Sequence, residues 1–79
     1  MLLKEFSKVN SAAKTSYVVF NGENAVDWFT VNYSNHGENV DKEIALEKQG
    51  AIVKHVDVNT ATGILQVSVD IQTGWEIDA

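Results

Sequence analysis

Apolar positions along this chain recur with two different periods, and these periods predict six short elements. Between residues 2 and 13 the apolar positions have helical spacing, at Leu2, Phe6, Val9 and Ala13. Side chains three or four residues apart share one face of a helix. A helix is therefore predicted over residues 2–13, with a strand through residues 2–9 as the alternative.

A β-hairpin is predicted over residues 16–33. Its first strand, Ser16–Phe20, is rich in β-branched and aromatic residues, and Asn21-Gly22 is a strong turn signal. The return strand, Val26–Tyr33, alternates apolar and polar positions. Glu23-Asn24-Ala25 fits either the loop or the strand.

The register of this hairpin decides which side chains are buried. A longer loop that brings Phe20 near Asp27 is preferred, because it places Val18 opposite Phe29 on one apolar face. Phe29, Val31 and Tyr33 then face the helices. Trp28 and Thr30 point to the opposite, open face.

A second helix is predicted over residues 38–49, with Gly50 at the position after its C-terminal cap. Val40 and Ile44 share a face, whereas Leu46 lies well around from them. We therefore expect only a narrow contact between this helix and the sheet.

Residues 51–71 predict a second hairpin with a loop over 60–63. If Asn59 pairs with Ile64, one face of the hairpin is apolar except for Lys54. The pairs on that face are Val58 with Leu65, Val56 with Val67, Lys54 with Val69 and Ile52 with Ile71. The other face carries His55, Asp57, Gln66, Ser68 and Asp70.

Together these elements predict a single α+β domain over residues 1–79. Its architecture is a one-layer antiparallel sheet of about four strands, with two helices on one face, in the order α-β-β-α-β-β. An antiparallel sheet with one apolar face is stably packed in this way.

Composition narrows the class of protein. The chain has 79 residues and contains no Cys, so neither a disulfide nor a thiolate zinc site can form. No apolar run approaches the roughly 20 residues of a membrane span. Lys4-Glu5 places a charge pair where a signal peptide would be apolar. We expect a soluble, cytoplasmic protein.

Charge indicates the kind of partner. Eleven acidic residues stand against six lysines, Arg is absent, and the formal net charge is −5. Nucleic-acid binding depends on neutralised phosphates and largely on Arg, so direct nucleic-acid binding is not expected. An acidic surface suits a protein partner with a basic surface.

Candidate catalytic and metal-binding residues are few. The predicted register places His55 opposite Ser68, with Asp57 on the same face, but no glycine-rich turn positions the serine and no amide cluster supplies an oxyanion hole. His36 and His55 lack the spacing of metal ligands, and no phosphate-binding motif is present. The sequence therefore predicts no enzymatic activity, no catalytic residues, no metal and no cofactor.

Candidate partner-binding residues are the exposed aromatic and acidic ones. An exposed Trp is typical of binding hot spots, which makes Trp28 a candidate together with Thr30 beside it. Trp75 and Glu76 near the C-terminus are further candidates. The acids of the second predicted helix complete the set, at Glu38, Asp41, Glu43 and Glu47.

Two resemblances are present. Over residues 41–70, a helix, Gly50 and a strand hairpin with Asp57, Thr62-Gly63 and Val69-Asp70 resemble half of a PepSY-type module. These residues are common to many hairpins, and no family is assigned on them. The whole chain is similar in type to small phage-encoded inhibitors, which are short, acidic, cysteine-free α+β domains.

The sequence thus predicts a non-enzymatic protein-binding module. The most specific version of this prediction is a small, phage-type inhibitor or adaptor that occupies a basic surface of a nucleic-acid-handling protein. The alternative is a small-ligand-binding or sensor domain that acts as a homodimer. A concave apolar pocket would favour the alternative.

Overall fold

The structure, a computed structural model, describes residues 1–71. Its helices are α1 (Leu3–Val9) and α2 (Val40–Lys48), and its strands are β1 (Lys14–Asn21), β2 (Asn24–Asn32), β3 (Ile52–Val58) and β4 (Leu65–Asp70). The predicted α+β class and the α-β-β-α-β-β order are confirmed.

The sheet is mixed, and the prediction of a wholly antiparallel sheet is wrong. The strand order is β2-β1-β4-β3, and the central pair β1–β4 is parallel while both hairpins are antiparallel. The reason is the α2 connection, because a helix carries the chain back to the end of the sheet where β2 began. β3 therefore runs parallel to β2, and β4 runs parallel to β1.

The core lies between one face of this sheet and the two helices. Leu3 of α1 and Leu46 of α2 pack against alternate strand residues, namely Tyr17, Val19, Phe29, Val31, Val67 and Val69. No described helix covers the other face. We call the two sides the helix face and the open face.

Helix α1 is shorter than predicted and uses a different apolar stripe. Leu2 forms a β-bridge with Ile52 instead of entering the helix, and the helix ends at Val9. Leu3 is fully buried, whereas Val9 is 75% exposed. In a helix of only two turns, Leu3 and Phe6 three residues later suffice to contact the core.

The register of the first hairpin differs from the preferred one. Tyr17, not Val18, pairs with Phe29, and the loop contains only Gly22 and Glu23. A β-bulge at Val26 shifts the register by one residue. With a two-residue turn and no bulge, Tyr17 would pair with Trp28. The extra residue shifts the pairing to Phe29, so that Tyr17 and Phe29 lie together on the apolar face.

The predicted faces of β2 are nevertheless confirmed. Phe29 and Val31 are buried on the helix face, while Trp28 is paired with Val18 on the open face.

The second hairpin confirms the predicted register from residue 55 to 58 and corrects it before that. His55 pairs with Ser68 and Val58 with Leu65, as predicted, but Val53 takes the place of Lys54 opposite Val69. A bulge at Lys54 removes the one polar residue from the apolar face. Ile52 consequently pairs with Asp70 rather than with Ile71.

Two valines of β3 are less buried than predicted. Val56 is 40% exposed and Val58 is 52% exposed, although both point to the helix face. β3 is an edge strand, and the helices cover the sheet interior more fully than this edge.

Helix α2 spans nine residues, fewer than the predicted 38–49, and Gly50 follows its C-terminal cap as predicted, at a φ of 75°. Its buried face differs from the predicted one. Ile44 is 43% exposed, and the residues that face the sheet are Val40, Glu43 and Leu46. At 100° per residue Glu43 lies midway between the other two.

Burial on the helix face is tested by two identical substitutions at paired positions. Val67 is 1% exposed and Val56, its cross-strand partner, is 40% exposed. We expect Val67→Ala to lower the free energy of unfolding by about 1–3 kcal/mol, and Val56→Ala by clearly less. Denaturant unfolding measures both. Equal losses would contradict the assignment of the core.

Candidate functional site

The residues predicted to bind a partner lie on opposite sides of the sheet. Trp28 and Thr30 are on the open face. The four acids lie on α2 or directly before it, on the helix side: Glu38, Asp41, Glu43 and Glu47. Trp75 and Glu76 lie outside the described residues. The structure therefore does not unite the predicted residues in one surface.

Strands β1 and β2 place an aromatic surface on the open face. Trp28 is 65% exposed and stands opposite Val18, with Thr30 two residues along β2 and Phe20 two residues along β1. We call these four residues the Trp28 surface. The Asp27 carboxylate accepts a hydrogen bond from the Trp28 backbone N–H at 2.9 Å, whereas Asp27 pairs with the buried Val19 and so lies on the helix-face side of β2.

One end of the Trp28 surface is bounded by a charged pair. The Lys54 Nζ lies 4.5 Å from the centre of the Phe20 ring and 4.0 Å from the Asp70 Oδ2. Asp70 is 1% exposed, and its other oxygen accepts a hydrogen bond from the Gly22 backbone N–H at 3.4 Å. The bulge at Lys54 turns this side chain to the open face and allows the cation–π contact.

The Ser/His/Asp grouping lies on the open face, around a shallow concavity of about 220 Å³. Its lining residues are Ser16, Val18, His55, Asp57, Gln66, Val67 and Ser68. His55 stands opposite Ser68 as predicted. Within residues 1–71, however, no hydrogen bond joins the His55 side chain to Ser68 or Asp57. The grouping lacks the linked arrangement that activates a nucleophile.

A buried carboxylate forms the most connected polar cluster. Glu43 is 5% exposed, and its Oε2 accepts hydrogen bonds from the hydroxyl groups of both Tyr17 and Tyr33. The sequence predicts Glu43 to be an exposed acid that binds a partner. It is instead buried because its position on α2 points at the sheet, where two phenols satisfy the carboxylate.

The two phenols are held in their neutral form. Burial and the hydrogen bond to Glu43 raise the pKa of Tyr17 far above its usual range. The same two causes raise the pKa of Tyr33 to about 12. Loss of either proton would place a second negative charge beside the Glu43 carboxylate.

Further polar contacts connect α1 and the residue after it to α2 and β1. The Ser7 hydroxyl donates a hydrogen bond to the Glu47 carboxylate. The Asn10 side-chain amide donates to the hydroxyl of Thr15, which is fully buried, at 2.9 Å. Glu47, predicted to be a partner-binding acid, is thus half-buried and bonded to α1.

A second concavity, of about 420 Å³, opens beside these contacts. Its lining residues are Ser7, Asn10, Ser11, Ala12, Ala13, Tyr33 and Ser34. The walls are small and mostly polar, unlike the apolar lining of most ligand pockets. Tyr33 connects this concavity with the buried Glu43.

The Tyr17–Glu43–Tyr33 cluster was not predicted from the sequence. One signal was present, since Glu43 lies three residues after Val40 and three before Leu46, at helical spacing on one face. An acid in the middle of an apolar stripe indicates a buried, hydrogen-bonded carboxylate. The identity of its partners depends on the tertiary fold.

The described residues were also compared with the geometry of metal sites and of membrane-spanning helices. No three His, Asp or Glu side chains of residues 1–71 converge so that they could hold a metal ion. Neither described helix is long and apolar enough to cross a membrane.

Comparison with known proteins yields no relative. No protein-family model, no curated protein and no solved structure matches this chain. The functional interpretation therefore depends on the residues themselves.

Tyrosine titration tests the buried cluster. The chain has two tyrosines, and both belong to it. Phenolate absorbance should be nearly absent at pH 10, with Tyr33 half-ionised at about pH 12 and Tyr17 later. Because both pKa values are raised on folding, the stability linked to them is present below about pH 10, the unfolded value, and is lost as pH rises through 12.

Two carboxamide variants provide the matched comparison. Glu43→Gln removes the negative charge beside the phenols and should move the Tyr33 titration toward pH 10. Glu47→Gln removes a charge from the same helix without touching a tyrosine and should leave the titration unchanged. Ionisation of both tyrosines near pH 10 in the folded parent protein would show that the cluster does not form.

Proposed function

We propose that this protein is a non-enzymatic binding module that contacts another protein through the Trp28 surface. The observation that carries the proposal is Trp28, which is 65% exposed on a sheet face that no described helix covers. In this position a large indole contributes little to the stability of the isolated domain. Desolvation by a partner would give it a stabilising role.

The surroundings of Trp28 have the composition of a binding surface. Apolar contact area comes from Val18 and Phe20, and hydroxyl-bearing residues at the rim offer hydrogen bonds, at Ser16, Thr30 and Ser68. Interfaces commonly combine an aromatic centre with a polar rim. The strands also hold Trp28 on a rigid base, which limits the entropy lost on binding.

The proposed partner has a basic surface. The chain carries a net charge of −5, and Asp27 and Glu23 are exposed near the Trp28 end of the first hairpin. A basic surface that normally binds nucleic acid would meet this charge, which supports an inhibitor or adaptor of phage type. A chain without cysteine needs no oxidising compartment, and we propose that it works in the cytoplasm.

Binding rather than catalysis is supported by the polar side of the open face. His55, Ser68 and Asp57 share a shallow concavity but form no hydrogen-bonded relay among the described residues. A nucleophile needs a base within hydrogen-bond reach and a third group that orients the base.

Substitution of Trp28 separates binding from folding. We expect Trp28→Ala to leave the thermal midpoint nearly unchanged and to raise the Kd for the partner about thirtyfold, as for a hot spot worth about 2 kcal/mol. Partners are captured from a lysate of the source cells, and the Kd is then measured with the purified partner. The neighbouring Phe29→Ala, a buried position, should instead lower the midpoint.

Val9→Ala is the matched control for exposure, because Val9 is 75% exposed on α1, away from the open face. It should change neither stability nor binding. Unfolding of Trp28→Ala would show that Trp28 belongs to the core. A captured partner that binds the parent protein and Trp28→Ala equally would refute the Trp28 surface.

Salt dependence tests the charge of the partner. Association with a basic surface should slow several-fold between low and physiological ionic strength, because salt screens long-range attraction. Stopped-flow mixing of the parent protein with the captured partner measures this rate. A rate independent of salt would remove the electrostatic part of the proposal and leave the aromatic part intact.

A second candidate function is favoured by the 420 Å³ concavity. In that case the protein is a small-ligand-binding or sensor domain, and a small polar molecule would contact Tyr33 and Ser34 beside α1. Ala13→Trp should fill this space. A ligand found by thermal-shift screening that loses its effect in Ala13→Trp but not in Trp28→Ala would favour the second candidate.

A further inference from the structure

The outer edge of β3 is a surface distinct from the Trp28 surface. β3 is the last strand of the sheet. The chain start occupies the first part of this edge, since the Val53 N–H donates to the Met1 carbonyl at 2.7 Å and the Leu3 N–H to the Ala51 carbonyl at 2.8 Å. Within residues 1–71, no segment pairs with the edge from residue 54 to 58.

The direction of the backbone groups on this edge follows from the hairpin. The Asn59 N–H donates to the Ile64 carbonyl at 3.0 Å. In an antiparallel ladder the residues that bond to the neighbouring strand alternate. Asp57 and His55 therefore bond to β4, and the N–H and C=O groups of Val56 and Val58 point outward. The Val58 N–H donates to the Asp57 carboxylate at 2.8 Å, which leaves the N–H and C=O of Val56 as the groups that a second strand would meet at the centre of the edge.

The side chains of the edge also favour association. Val56 and Val58 are 40% and 52% exposed on the helix face, while His55 and Asp57 are exposed on the open face. An edge strand with outward backbone groups and exposed valines is a template for another strand. Natural edges are commonly protected by Pro, charged side chains or bulges. The bulge and the charge of Lys54 protect the start of this edge, whereas residues 55–58 contain neither Pro nor a bulge.

We propose that the outer edge of β3 pairs with the same edge of a second copy, antiparallel, about a two-fold axis at Val56. His55 of each copy then stands opposite Asp57 of the other, twice per dimer. These are non-hydrogen-bonded positions of the ladder, where facing side chains approach most closely. The imidazole can donate to the carboxylate, so the strand is complementary to itself.

Two other dimer registers would also bring outward-pointing backbone groups of the two copies together. Like charges exclude one of them, and the length of β3 excludes the other. An axis at Asp57 would place two carboxylates directly opposite each other, which is destabilising. An axis at Val58 would run the ladder into the 60–63 loop and leave His55 without a partner. Only the axis at Val56 pairs unlike groups and uses the whole edge.

The proposed dimer has a defined size. Each copy contributes its four-stranded sheet, so the two sheets join into one of twice that width. The Met1–Leu3 segment limits the shared ladder to residues 54–58, because it already bonds to the edge at Val53. On the helix face, the exposed Val56 and Val58 of both copies form one apolar cluster.

Cysteine cross-linking tests the position of the axis. The chain has no native Cys, so each single variant carries one thiol. At the axis, two copies of residue 56 would have Cα atoms about 5.5 Å apart, within disulfide range. Val56→Cys should therefore form a disulfide dimer on mild oxidation, whereas Val58→Cys and Asp57→Cys should remain largely monomeric.

Charge substitution tests the contact between His55 and Asp57. By sedimentation velocity the parent protein should show a concentration-dependent dimer. His55→Asp should weaken it about tenfold or more, since carboxylates then face each other in both pairs, and Asp57→Lys should weaken it because both imidazoles lose their carboxylate acceptor. The double variant His55→Asp/Asp57→Lys restores opposite charges and should recover the dimer. Asp27→Lys, on the other edge strand, changes the net charge by the same amount as Asp57→Lys and should have no effect.

Several outcomes would overturn the proposal. A parent protein that stays monomeric at millimolar concentration would contradict the dimer. A cross-link at residue 57 or 58 in preference to 56 would contradict the position of the axis, and single charge variants that dimerise like the parent would contradict the contact between His55 and Asp57. Trp28→Ala should leave the dimer intact, and its dissociation by that variant would place the self-contact on the open face instead.

Discussion

The buried carboxylate of Glu43 is the interaction on which the arrangement of the helix layer depends. A carboxylate inside a protein is tolerated only when hydrogen bonds replace its lost hydration. Tyr17 from β1 and Tyr33 from the segment after β2 both donate to the same oxygen. The contact therefore fixes α2 relative to two strands at once.

This polar contact compensates for a weakly apolar helix. On its sheet-facing side α2 offers only Val40 and Leu46, and Ile44 points away. Two side contacts assist Glu43: the Asn39 amide donates to the Thr30 carbonyl at 2.8 Å, and the Lys42 Nζ lies 5.4 Å from the centre of the Phe29 ring. These polar contacts thus hold α2 on the sheet, as a wide apolar stripe does for other helices.

The position of α2 has consequences for the whole sheet. Because α2 crosses the helix face between β2 and β3, the two hairpins meet with β1 and β4 parallel. Both described helices then lie on one face, and the other retains Trp28, Val18 and Phe20. The proposed binding surface is therefore a result of the same topology that buries Glu43.

Short-range sequence patterns correctly predicted the type and order of the elements, but not the registers of the strands. The turn at Gly22, the faces of β2 and the pairing of His55 with Ser68 all follow from short-range chemistry. Both register errors arise at β-bulges, at Val26 and Lys54, where one extra residue reconciles a turn with an apolar face. Lys54, the one polar residue on a predicted apolar face, was the visible sign of such a bulge.

The candidate site was less predictable for the same reason. Trp28 could be assigned to the open face from alternation alone. The hydrogen-bond partners of Glu43 could not be assigned, because they are 26 and 10 residues away in sequence and meet it only in the folded chain. The acids predicted as one surface are consequently divided between a buried contact, a half-buried contact and solvent.

A double-mutant cycle between Glu43 and Tyr17 measures the central contact most directly. Glu43→Leu leaves a buried phenol without its acceptor, Tyr17→Phe removes one donor from a buried carboxylate, and the double variant removes both groups together. Denaturant unfolding should show that the double variant is more stable than the summed single losses imply, by about 1–3 kcal/mol. Losses that add to within about 0.5 kcal/mol would contradict a helix layer held by this carboxylate.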